Sequence, residues 1–85
     1  MTHKTTPEFW ELYYKLPVSV QRTADKNYEL LKADSYYPSL HFKEVKPDLW
    51  SVRAGKGYRA LAYINNQECV WFWIGSHAEY DHLIK

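Results

Sequence analysis

Leu49-Trp-Ser-Val-Arg-Ala-Gly-Lys-Gly-Tyr-Arg-Ala-Leu-Ala-Tyr-Ile64 reads as two strands joined at Gly55-Lys56-Gly57. Successive strand side chains point to opposite sides of a sheet. Val52, Tyr58, Ala60, Ala62 and Ile64 therefore share one face of this hairpin, and Arg53, Arg59, Leu61 and Tyr63 share the other. Two guanidinium groups project from neighbouring strands to the same side. The next segment, Glu68-Cys-Val-Trp-Phe-Trp-Ile-Gly75, also alternates: Val70, Phe72 and Ile74 against Cys69, Trp71 and Trp73. Strict alternation sends the second set to the cationic face. His77 and Tyr80 follow just past the strand end. One face is suited to burial, and the other gathers cations, indoles, an imidazole and a phenol.

The chain around this hairpin has 85 residues, 46% of them hydrophobic and 18% aromatic. That is the size of one small domain, expected to span residues 1–85, and it is too apolar for disorder. Each aromatic ring buries roughly 150–250 Å², so the rings dominate so small a core. The lone Cys69 allows no intrachain disulfide and fits a reducing compartment. No apolar run approaches the ~20 residues of a membrane-spanning helix, and no basic-then-apolar leader opens the sequence. A cytoplasmic protein without membrane association is expected.

The net charge of +1 gives no whole-molecule attraction to nucleic acid. Its distribution is uneven. Residues 1–40 balance, residues 60–85 sum to −2, and residues 41–59 sum to +3 through Lys43, Lys46, Arg53, Lys56 and Arg59 against Glu44 and Asp48. So small a patch suits a local anion site better than a long duplex-binding stripe.

Before the hairpin, Met1–Thr5 is polar and reads as a frayed end. Thr6-Pro7-Glu8 is a helix entry, with a capping hydroxyl, proline at the first helical position and an acid favoured by the dipole. Phe9, Leu12, Tyr13 and Leu16 follow at helical spacing. Pro17 ends that helix and starts the next, whose apolar stripe is Val20, Ala24, Tyr28 and Leu31. Asp34–Ser39 is a loop, its Tyr36-Tyr37 pair expected over the core edge. Four strands follow, predicted over residues 40–45, 50–54, 58–64 and 69–74, with turns too short for anything but antiparallel neighbours. The predicted fold is α+β: an N-terminal helical hairpin on one side of a four-stranded antiparallel meander, the other side open.

Ser39-Leu-His-Phe-Lys43, Leu49-Trp-Ser-Val-Arg53, Gly57-Tyr-Arg-Ala-Leu61 and Trp71-Phe-Trp-Ile-Gly-Ser-His-Ala-Glu-Tyr-Asp81 together resemble the RelE/ParE toxin superfamily, most of all its small RelE-like and HigB-like members. The resemblance implies a bacterial type II toxin neutralised by a cognate antitoxin. It also implies an endoribonuclease, an mRNA interferase that enters the ribosomal A site and cuts messenger RNA. Family members usually begin with a strand, for which Met1–Thr5 leaves little room. Many are strongly basic, and this chain is not.

Metal-independent RNA cleavage needs a base for the 2′-hydroxyl proton, cations on the phosphate, an acid for the leaving 5′-oxygen, and contacts that hold the bases. Arg59, aligned with the family's Gly-Tyr-Arg arginine, is the first candidate for the phosphate, since a guanidinium offers it a planar fork. Arg53 is the second clamp. As strand residues both are expected to be exposed. His77 offers an imidazole that can serve as acid or base. Tyr80 matches a family position and would stack a base or share a proton. His41 and Lys43, either side of Phe42, support substrate binding, as does Trp73 by stacking. His3 and His82 read as surface residues and Cys69 as a small residue in a strand. With no Cys/His cluster at ligand spacing and no Gly-rich phosphate loop before a helix, neither a metal nor another cofactor is expected. The toxin alone is expected to be monomeric. The competing readings are a non-enzymatic ParE-like toxin that inhibits DNA gyrase and an inactive binding relative; His77 with Tyr80 favours the nuclease.

Overall fold

Thr6 is the first residue whose side chain fixes an element boundary. Its Oγ1 accepts the Phe9 N–H at 3.2 Å, which caps α1, Pro7–Tyr14. In the computed structural model, which describes residues 1–85, Pro17 then precedes α2, Val18–Ala33. Tyr13 Oη donates to Asp25 Oδ1 at 2.8 Å and ties the two helices together. Burial and that carboxylate push the Tyr13 phenol up to about 12. Tyr36 and Tyr37 are exposed rather than laid over the core edge. A 3₁₀ turn, Pro38–Leu40, follows and buries Leu40 completely.

The strands are β2 (Lys43–Lys46), β3 (Leu49–Gly55), β4 (Tyr58–Asn65) and β5 (Glu68–Ser76). They pair in sequence order and antiparallel, as the short turns require. Asp48, Gly57, Asn66 and Gln67 take positive φ in those turns; Asn66 and Gln67 form a two-residue hairpin loop with both centres left-handed. The first predicted strand is shorter than expected, because the 3₁₀ turn consumes Leu40 and leaves His41 in a left-handed conformation at its end.

Two features depart from the predicted architecture. Thr2–Thr5 is a strand, β1, parallel to β5, so the sheet has five strands in the order β1-β5-β4-β3-β2 and is mixed rather than a four-stranded meander. Its polarity disguised it, for its attachments are lateral. Thr2 N–H and Thr6 N–H donate to the carbonyls of Gln67 and Trp71. Lys4 pairs with Glu68 at 3.1 Å, and Trp71 Nε1–H donates to His3 Nδ1 at 3.1 Å. The second departure is an unexpected C-terminal helix, α3, His77–Leu83, capped by reciprocal bonds between Ser76 and Glu79.

α1 packs on β5 and α2 on β3, both on one face of the sheet. Tyr13 and Leu31 meet Val52, Ala54, Ala60, Ala62, Cys69, Trp71 and Ile74 there. A bulge between Leu61/Trp73 and Ala62/Trp71 inserts Phe72 and shifts the side-chain phase of β5 by one residue. Cys69 and Trp71 therefore lie in the helix-side core with Ile74, while Phe72 stacks on Tyr63 across the opposite face, 4.8 Å between centroids. Strict alternation had placed Trp71 with the arginines. Burial raises the Cys69 thiol to about 12, which leaves it unreactive. The opposite face is not open either, since α3 lies against β4 and β5 there.

Candidate functional site

β3 and β4 set the site. Arg53 and Arg59 are direct cross-strand partners, so two like charges face one another where such a pair ordinarily destabilises a sheet. Around them His41, Lys43, Gly55, Gly57, Tyr58 and His77 line a cleft of about 340 Å³. No carboxylate lines it. Of the sequence candidates, Arg53, Arg59, His77, His41 and Lys43 converge here. They come from the end of the 3₁₀ turn, from β2, β3 and β4, and from the first residue of α3. His77 N–H donates to the Gly57 carbonyl at 2.8 Å, which fastens the start of α3 to the β3–β4 turn and the imidazole to the cleft rim.

Arg59 is 6% exposed, not the surface residue that its strand position suggested. α3 is the reason: Tyr80, itself 4% exposed, places its ring 5.2 Å from the guanidinium carbon. Arg59 Nε–H donates to Ser51 Oγ at 2.7 Å and Nη2–H donates to the His41 carbonyl at 3.0 Å. Both acceptors are neutral, and the ion pairs of the chain, Lys4–Glu68, Lys32–Glu29 and His77–Asp81, leave Arg59 out. Burial lowers its pKa; Tyr80 opposes that, and Arg53 adds to it. An arginine stays protonated in a protein all the same. The floor of the cleft is thus a desolvated cation with hydrogen-bond partners but no counter-charge. Burying a charge in that way is costly, and an arriving anion relieves the cost.

Tyr80 does not line the cleft. It supports Arg59 from beneath, and its burial leaves no ring face for a base. Trp73 shares the Arg59 side of the sheet, opposite Leu61, but folds over Gly75 outside the cleft lining. His77 is exposed and pairs with Asp81 at 3.4 Å one helical turn on, which orients the ring. His3 is half-buried rather than a surface residue, its ring parallel to Trp71 and edge-on to Tyr28.

Sequence reasoning missed Ser51, Tyr58 and Asp81. For Ser51 the signal was a hydroxyl inside the otherwise apolar Leu49-Trp-Ser-Val run. For Asp81 it was the capping box Ser76-His-Ala-Glu79, which announces a helix and hence an i, i+4 pair with His77. A second cavity, about 270 Å³, lies between α1, α2 and the sheet. Its walls are mostly apolar, among them Phe9, Leu31, Val52 and Trp71, and it gathers no comparable set of cations.

Residues 18–82 match the family model of the ParE-like toxin domain. No curated protein is matched by sequence. Among solved structures, the RelB–RelE antitoxin–toxin complex from Methanococcus jannaschii is similar at 14% identity and TM-score 0.73, covering 93% of this chain and 96% of that one. The YoeB/ParE toxin from Agrobacterium tumefaciens is similar at 14% identity and TM-score 0.68, covering 91% and 99%. The isolated E. coli RelE toxin is similar at 13% identity and TM-score 0.65, covering 99% and 98%. At such identities the likeness is one of fold.

Proposed function

The chain belongs to the ParE-like toxin family of the RelE/ParE superfamily, and from that membership we propose that it is a type II toxin that cuts messenger RNA on the ribosome without a metal. One observation carries this reading: Arg59 is buried, charged and without a counter-ion at the floor of a cleft ringed by Arg53, Lys43, His41 and His77. A phosphodiester is an anion of the right size and valence for that floor.

Arg59 and Arg53 would hold the non-bridging oxygens as charge builds on phosphorus. The 2′-oxygen attacks phosphorus, the bond to the 5′-oxygen breaks, and the products are a 2′,3′-cyclic phosphate and a 5′-hydroxyl. The proton leaving the 2′-hydroxyl and the proton reaching the 5′-oxygen need one acceptor and one donor. His77, steered by Asp81, is assigned to one of these, and His41, which also lines the cleft, to the other.

The similar archaeal chain occurs in complex with an antitoxin, which supports a cognate antitoxin here as well. The test is expression of the wild type and Arg59→Ala, with translation rate and RNA ends mapped. Arrest with new RNA ends in the wild type alone is expected. DNA damage without RNA ends would instead identify a gyrase inhibitor, and arrest by both forms without RNA ends would remove the nuclease reading.

A further inference from the structure

We propose that Ser51 is a positioning residue of this site: its buried hydroxyl fixes the plane of the Arg59 guanidinium so that the remaining N–H groups face the bound phosphate. This rests on the reading of the cleft as a phosphodiester site. Ser51 is 0% exposed, on the Arg59 side of β3 and opposite Leu61, one pair along from the Arg53–Arg59 pair on that face. A hydroxyl buried without a partner is costly, and an apolar side chain would serve the strand as well. The hydroxyl accepts the Arg59 Nε–H at 2.7 Å.

The geometry assigns the bond a purpose. A guanidinium is planar with five N–H donors. The Nε–H bond to Ser51 and the Nη2–H bond to the His41 carbonyl are two points of attachment that together fix its rotation. Neither N–H group of Nη1 takes part in these two bonds. The second attachment has its own structural provision. His41 takes φ 47° and ψ 45°, a left-handed conformation uncommon outside glycine, at the end of the 3₁₀ turn. That conformation delivers its carbonyl to Arg59 while its side chain lines the cleft. Tyr80 closes the face below. With the side chain held on three sides, the arginine loses little freedom when the anion arrives.

The experiment uses the ¹⁵N-labelled full chain with inorganic phosphate and with a short RNA carrying 2′-O-methyl groups throughout, which has no free 2′-hydroxyl and so binds without being cut. In the wild type the Arg59 Nε–H should exchange slowly with water. Ser51→Ala should make that exchange fast and weaken binding of both probes about tenfold. Val52→Ala, a core truncation facing the helices, should lower stability without moving either readout, which separates positioning from general destabilisation. A rapidly exchanging Nε–H in the wild type, or unchanged probe affinity in Ser51→Ala, would overturn the proposal. Failure of the wild type to cut messenger RNA on translating ribosomes would overturn the nuclease reading alone, because exchange and phosphate binding do not depend on cleavage.

Discussion

The Arg59 guanidinium carbon lies 5.2 Å from the centroid of the Tyr80 ring, and both side chains are more than nine-tenths buried. A desolvated cation over an aromatic face is worth about 2 kcal/mol. The contact joins β4 to the C-terminal helix, so the catalytic proposal and the packing of α3 share one pair of residues.

Tyr80→Phe keeps the ring over the cation but removes the phenol oxygen beside the guanidinium, and should lower stability by only about 1 kcal/mol. Tyr80→Ala empties a buried site and should cost about 3–5 kcal/mol. If RNA cleavage survives in Tyr80→Phe, the ring rather than the hydroxyl is what the site requires. Loss of cleavage with the urea midpoint of Tyr80→Phe only slightly lowered would show a phenol acting on the substrate.

Arg59→Ala removes the proposed phosphate anchor and also leaves the Ser51 hydroxyl and the His41 carbonyl without this partner. Activity should vanish and stability should fall by about 2 kcal/mol. Arg53→Ala, at a more exposed position, should lower activity while the denaturation curve barely moves. Equal stability losses in the two variants would contradict the burial difference.

His77 and Asp81 are both more than half exposed, so their substitution tests chemistry with little interference from folding. His77→Ala should reduce cleavage about 10²–10⁴-fold, and Asp81→Asn by a smaller factor, since it only orients the ring. Thermal melts of both should match the wild type. Full activity in His77→Ala would pass the proton-transfer role to His41.

His3 gives the fold a pH dependence. Burial, then the N-terminal ammonium and Lys32, lower its pKa from 6.5, and its Nδ1 must stay unprotonated to accept the Trp71 indole N–H. Below pH 6.5 the unfolded chain therefore binds more protons than the native one. The His3 contribution is complete above that pH and is lost as pH falls, until the native imidazole also protonates. His3→Gln retains an acceptor that does not titrate. Melting temperatures at pH 7.5 and 5.5 should differ less in this variant than in the wild type, and an equal difference would rule out His3 as the source.

Gly75 pairs with Arg59 across β4 and β5 under the indole of Trp73. A Cβ there would meet Trp73 Cζ2 at 2.5 Å and Cη2 at 2.9 Å. Gly75→Ala should cost about 1–3 kcal/mol by overpacking and should shift the Trp73 fluorescence. A wild-type melt with unchanged emission would place the indole elsewhere.

Local rules were enough for much of this protein. Thr6-Pro7 and Pro17 set the helix boundaries, and short polar turns forced antiparallel pairing. Alternation in the hairpin put Arg53 and Arg59 on one face, and the chain order brought His77 to its edge. These are near-neighbour effects, expressed within a few residues. The β5 bulge defeated alternation, because one inserted residue, Phe72, sends every side chain before it to the other face while leaving Trp73 and Ile74 in place. β1 was hidden because a parallel partner 66 positions away along the chain, as in the pairing of Thr2 with Glu68, leaves no periodic mark on four polar residues.

The sequence by itself determined which residues stand beside which on the hairpin, and so that Arg53 and Arg59 share one face. Only the tertiary structure decided that Arg59 is buried. Its burial depends on α3 folding back to set Tyr80 against it, on Ser51 from the neighbouring strand and on a carbonyl from the left-handed His41. Those groups come from parts of the chain that side-chain periodicity does not relate. Desolvation of a charge is a property of everything packed around it, so it follows from the assembled fold and not from any one segment.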